Sequence, residues 1–144
     1  MLPYHRILIA TDLSEYSAKI LERAQKIASK GEQIELSIVH VIELSPVAYG
    51  GEFFIPVNVN IEQEVEAKAR KELANLSEHY GISPKNQYVE LGSVRVAIIE
   101  LAEKLKTDLI VVGTHGHSGL SILLGSRANA ILHYAKCDVL VVKI

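Results

Sequence analysis

A single cysteine, a single methionine, two phenylalanines and no tryptophan occur among the 144 residues. Cys137 has no internal disulfide partner, so the chain must rely on a hydrophobic core, and an intracellular, cytoplasmic setting is expected. No apolar run approaches the roughly 20 residues that a membrane-spanning helix requires. Met1 leads straight to Pro3 and the short run Ile7–Ala10, without a signal-type apolar region. An excess of charge of one sign is also missing: 15 Lys+Arg stand against 17 Asp+Glu, a net −2 with a pI near 6.3. That balance argues against nucleic acid and against membrane surfaces as partners. The remainder is 49% hydrophobic and 22% charged, enough to bury a full core in one domain spanning residues 1–144.

Short apolar runs alternate with amphipathic segments. Arg6–Ala10 (RILIA), Ile34–Ile42, Gln87–Leu91, Asp108–Val112 and Val139–Lys143 read as strands, the first short and almost all apolar as expected when both sheet faces are covered. Between them, Ala18, Leu21, Ala24, Ile27 and Ala28 form a helical stripe behind the helix-start residues Asp12 and Ser14. Asn60 is placed to cap a helix carrying Ile61, Val65, Ala69, Leu73, Leu76 and Tyr80; Ser93–Lys106 and Ser126–Ala135 complete the set. The βαβαβαβαβ pattern predicts one doubly wound α/β domain with a parallel sheet. The connection Glu43–Asn60 holds both phenylalanines and three of its breakers are Pro46, Gly50 and Gly51; a surface loop covering the core edge is favoured over a ligand lid or partner patch.

Asp108–Arg127, DLIVVGTHGHSGLSILLGSR, carries the most chemistry. A buried strand ending in a glycine-rich loop before a helix start allows close backbone approach to an anion. Gly113, Gly116 and Gly119 are each three apart, which is not the dinucleotide fingerprint, and no Gly-Lys-Ser/Thr occurs. On this pattern alone, a phosphate site and a simple turn stand level. Asp12, beside Thr11, fits either a ribose or cation contact or the N-cap of the first helix. His115 and His117 have a weak metal spacing and read as loop histidines, and His40 as a satisfied strand-end histidine. No catalytic triad or carboxylate pair is defensible, so no catalytic residue and no metal ligand is assigned. The terminal run Cys137–Ile144 is either an internal strand or an edge that pairs with its own copy.

Taken together, ILIATDLSEYSAKIL, IVHVI, ELGSVRVAIIELAEKLKTDLIVVGTHGHSGL and GSRANAILHYAKCDVLVV resemble the universal stress protein family along essentially the whole chain. The resemblance implies a Rossmann-like sheet in the order 3-2-1-4-5 and a homodimer formed through the last strand, with Val139, Leu140, Val141 and Val142 at the interface. It further implies two branches. In the ATP-binding branch, Thr11 and Asp12 would contact the ribose and adenine, and the backbone of Val41 would read the adenine edge. Gly113, Thr114, His115, Gly116, Gly125, Ser126 and Arg127 would hold the phosphates, with magnesium expected only alongside the nucleotide. Gly116 and Gly125 are separated by eight residues, His117 to Leu124, one fewer than the binding pattern has. One residue removed ahead of a helix turns its start by about 100°. That spacing and Asp138 before the last strand resemble the nucleotide-free branch, typified by universal stress protein A. Two functions are therefore carried forward: a cytoplasmic, homodimeric stress-response protein with ATP or another adenine nucleotide as regulatory ligand, and a nucleotide-free dimer acting on unknown protein partners. A slow ATPase ranks below both.

Overall fold

The computed structural model describes residues 4–28, 33–43, 59–114 and 126–144, with the side chains at 59, 60 and 126 excepted. Five parallel strands alternate with helices: β1 (Arg6–Ala10), α1 (Ser17–Ala28), β2 (Glu35–Ile42), α2 (Val59–Glu78), β3 (Gln87–Leu91), α3 (Val94–Lys104), β4 (Leu109–Gly113), α4 (Ser126–Tyr134) and β5 (Asp138–Val142). A 3₁₀ turn at Pro84–Asn86, unforeseen in the sequence, leads into β3. The sheet order is β3-β2-β1-β4-β5, so the chain reverses direction across the sheet between β1 and β4. Each strand alternates its side chains between two cores. Ile7, Ile9, Ile38, Val111 and Val142 pack with Ile20, Leu21 and Ala24 of α1 and Leu73 of α2. Leu8, Val39, Val41, Ile110 and Val112 pack with Ile98 and Leu101 of α3 and Ile131 of α4. This two-sided burial explains the apolar runs Ile7–Ile9 and Leu109–Val112.

Several sequence-based boundaries shift for local reasons. Asp12 does not cap α1, which begins only at Ser17. Instead its Oδ1 accepts the Ser14 N–H at 2.9 Å, closing a tight turn in which Leu13 takes φ +61°. Ala18 faces solvent, and Ser17 and Ile20 take the buried positions of that helix. Asn60 lies within α2, since the helix starts at Val59. Ile61 and Val65 are exposed, whereas Ala69 and Leu73 further along α2 are buried. Ser93 does cap α3, its Oγ accepting from the Val96 N–H. At the amino ends of the strands, the Asp108 carboxylate accepts from the N–H groups of His5 and Arg6 at 2.8 and 3.0 Å, fastening β1 to the start of β4. Among the described residues, no helix is long and apolar enough to cross a membrane.

Ser77 on α2 is fully buried, and its Oγ has no hydrogen-bond partner among the described residues. A buried hydroxyl without a partner costs about 1–3 kcal/mol of desolvation, and alanine is the better helix former. Ser77→Ala is therefore expected to raise stability by about 1 kcal/mol, read as a thermal midpoint higher by a few degrees. A lower midpoint would show that the hydroxyl is satisfied in solution.

Candidate functional site

In a doubly wound sheet the cleft lies beyond the carboxyl ends of the strands where their order reverses, here between β1 and β4. The β1 side is densely bonded. The Thr11 N–H donates to the Val39 carbonyl at 3.0 Å, as the last rung between β1 and β2. The Thr11 hydroxyl is buried, lies 2.6 Å from the Ser17 Oγ, and accepts the Leu13 N–H at 3.0 Å. This side chain is therefore committed to the turn. Only Oδ1 of Asp12 is used in the turn. A carboxylate has acceptor capacity on both oxygens, so Oδ2 can accept from a hydroxyl donor.

Peptide groups in a strand face alternate sides. The Val39 carbonyl bonds toward β1 and the Ile42 carbonyl accepts the Gly92 N–H on the β3 side, so the Val41 peptide faces β1. The β1 register ends at Ala10↔Val39, which leaves the Val41 peptide facing the cleft beyond that strand's end. Asp12 follows the end of β1, and the Val41 peptide faces the β1 side of β2 beyond the last rung, at the two positions that the family resemblance names.

The β4 side is different. A Cβ at Gly113 would meet Ile20 Cδ1 at 2.9 Å and Ile144 Cγ1 at 3.2 Å, so a side chain here would make Ile20 and Ile144 shift. Thr114 is tied to that same segment: its N–H donates to the Val142 carbonyl at 3.0 Å and its Oγ1 accepts the Ile144 N–H at 3.1 Å. His115, Gly116 and Gly125 lie outside the described residues, as does the side chain of Ser126, whose backbone opens α4. Arg127 Nη2 is 2.9 Å from Glu43 Oε2, and Glu43 Oε1 accepts the Val94 N–H at the start of α3. Glu43 was read only as the beginning of a long loop. Its partner Arg127 is 84 residues away, and nothing in the local pattern signals the pair. His40, read as a satisfied histidine, has Nδ1 2.9 Å from the Thr11 carbonyl oxygen.

Cys137 is partly buried. Burial pushes its thiol pKa up, helped by the nearby Asp138 and Asp108 carboxylates, which keeps it protonated and weakly nucleophilic. Among the described residues no cluster of metal-ligating side chains occurs.

The family model for the universal stress protein family matches residues 3–143. The chain belongs to the universal stress protein family. Universal stress protein A homolog 1 of Coxiella burnetii is 56% identical over 139 residues, covering 96% of each chain. Universal stress protein A homolog 2 of the same organism is 37% identical, over 98% of this chain and 96% of its own. Among solved structures, hypothetical protein MJ0577 superposes with a TM-score of 0.81 at 25% identity, over 99% of this chain and 98% of that one. A universal stress protein in complex with cAMP superposes with a TM-score of 0.64 at 26% identity, over 96% of both chains. That family member thus carries an adenine nucleotide on the same sheet architecture.

Proposed function

We propose that this universal stress protein is a cytoplasmic regulatory homodimer that binds ATP or a related adenine nucleotide at the β1/β4 switch point. What supports the reading is the place of Asp12 just past the end of β1 and the Val41 peptide that faces the β1 side beyond the last rung. A carboxylate accepts from the two ribose hydroxyls, and a peptide N–H and C=O pair matches the donor–acceptor edge of adenine. The complex of a relative with cAMP supports the nucleoside half of the site. The phosphates would fall to Gly116, Gly125 and Ser126, with magnesium entering only as the nucleotide's counterion.

The test is direct. Freshly purified protein is denatured, the released small molecules are separated by ion exchange, and a fluorescent ATP analogue is titrated onto the intact chain. Near-stoichiometric nucleotide, or saturable binding weakened by Gly116→Val, is expected. Absence of both at millimolar analogue rejects the reading.

A second reading, a nucleotide-free dimer working through protein contacts, is favoured by two observations. Arg127 is engaged by Glu43, and Gly113 is explained by core packing. The same titration separates the two.

Both readings include dimerisation through β5. This strand lies at the sheet edge, with Val139, Leu140 and Val141 only partly buried. Val142 is 2% exposed and belongs to the monomer core, so it would contribute backbone direction, not contact area. Because the Val142 carbonyl bonds to β4, the peptides of Val139 and Val141 face the open edge. Val141→Pro removes an outward N–H while sparing the inner ladder. Light scattering is expected to show wild-type protein at twice the 15.9 kDa chain mass and the variant at monomer mass. A monomeric wild type would remove the dimer from the account.

A further inference from the structure

At the end of β1 the sheet ladder stops in an unusual way. In a parallel pair, a residue's N–H bonds one neighbour and its C=O accepts from the residue two further along the same neighbouring strand. Thr11 obeys the first half, donating to the Val39 carbonyl. The second half would be the Val41 N–H donating to the Thr11 carbonyl, and among the described residues that rung is not made. The Thr11 carbonyl oxygen instead lies 2.9 Å from His40 Nδ1. A carbonyl only accepts, so the proton must sit on Nδ1, leaving Nε2 unprotonated in the neutral ring. The imidazole of the residue between Val39 and Val41 therefore bonds the carbonyl oxygen that the next rung would use.

We propose that His40 is a positioning residue of the switch-point cleft: its side chain ends the β1/β2 ladder one rung early and so keeps the Val41 peptide available to a ligand. The inference deepens the nucleotide reading and rests on it only for the affinity measurement below. Thr11 supplies its hydroxyl to the turn, through Ser17 and Leu13, and its N–H to the Val39 carbonyl as the last rung. Its carbonyl is thus the one group on which the choice between ladder and open peptide depends. With His40 replaced by leucine, that buried acceptor would seek the nearest donor, and the Val41 N–H is the one the parallel geometry provides.

The first measurement needs no nucleotide. Long-range ¹H–¹⁵N spectra of histidine-labelled protein above neutral pH, with the His40 signals identified by their loss in His40→Leu, are expected to show the proton on Nδ1. Finding it on Nε2 overturns the proposal. Amide exchange provides a second reading of the same bond. The Val41 N–H is expected to exchange rapidly in the wild type and at least about tenfold more slowly in His40→Leu, as it enters the ladder. Equal exchange in the two proteins, with both folded by circular dichroism, also overturns it. Asparagine places an amide donor near the Nδ1 position, so His40→Asn is expected to retain the fast exchange, and loss of fast exchange there counts against the proposal. For the affinity arm, His40→Leu is expected to weaken adenine nucleotide binding by about tenfold, the scale of one hydrogen bond to a buried peptide, with His40→Asn recovering most of it. If the wild type binds no nucleotide, the nucleotide reading fails while the tautomer and exchange measurements still decide the role of His40.

Discussion

Leu8→Ala is expected to lower the free energy of unfolding by about 3 to 5 kcal/mol. Leu8 lies at the middle of β1, the central strand, in register with Ser37 on one side and Ile110 on the other. Its side chain is fully buried, packed with Val39, Ile98, Leu101, Ile110 and Ile131. Truncation removes transfer energy and leaves a cavity between two helices and the sheet, a place where strands hydrogen-bonded on both sides cannot relax inward. Against a domain stability of about 5 to 15 kcal/mol, this is a large fraction. Urea denaturation should show a lower midpoint with an unchanged slope, the signature of lost stability in a cooperative transition. A loss below about 1 kcal/mol would mean that the α3/α4 face is not packed as described.

The second large effect concerns binding. Asp12→Ala is expected to weaken adenine nucleotide binding by about 10- to 100-fold, since hydrogen bonds to a charged group are worth about 1.5–3 kcal/mol and each 1.4 kcal/mol is about tenfold. Alanine also removes the acceptor for the Ser14 N–H, so some loss of stability accompanies the loss of affinity. Asp12→Asn separates the two effects. Its amide oxygen still closes the turn, so the thermal midpoint should stay near that of the wild type while affinity drops. Equal affinity of wild type, Asp12→Asn and Asp12→Ala would place the ribose elsewhere.

The fold was legible because doubly wound sheets write themselves plainly into sequence. Ile7–Ile9 and Leu109–Val112 are apolar throughout because their strands are buried there on both faces. Gly113 illustrates the limit. A glycine after an apolar strand suggested close approach of a ligand, but the space its missing side chain would fill belongs to Ile20 and Ile144. The sequence contains no sign that residues beyond the last strand return to that point. Asp12 was weighed as a helix cap, yet the left-handed Leu13 delays α1, and the aspartate closes a turn instead. Arg127, which the family resemblance assigns to the phosphates, lies against Glu43, the residue that follows β2. Such pairs are tertiary facts. Periodicity reports which face of an element is buried, not which distant side chain lies across from it.

The account turns on whether the Asp12 and Val41 edge of the switch point receives an adenine nucleotide. Titrating ¹⁵N-labelled protein with ATP and magnesium, followed by backbone amide spectra, addresses this at the residues themselves. Saturable shifts centred on Val41, Asp12 and their neighbours, reversed by Asp12→Ala, are expected. Spectra unchanged at millimolar ATP, or shifts confined to residues away from the carboxyl ends of β1 and β2, would contradict it.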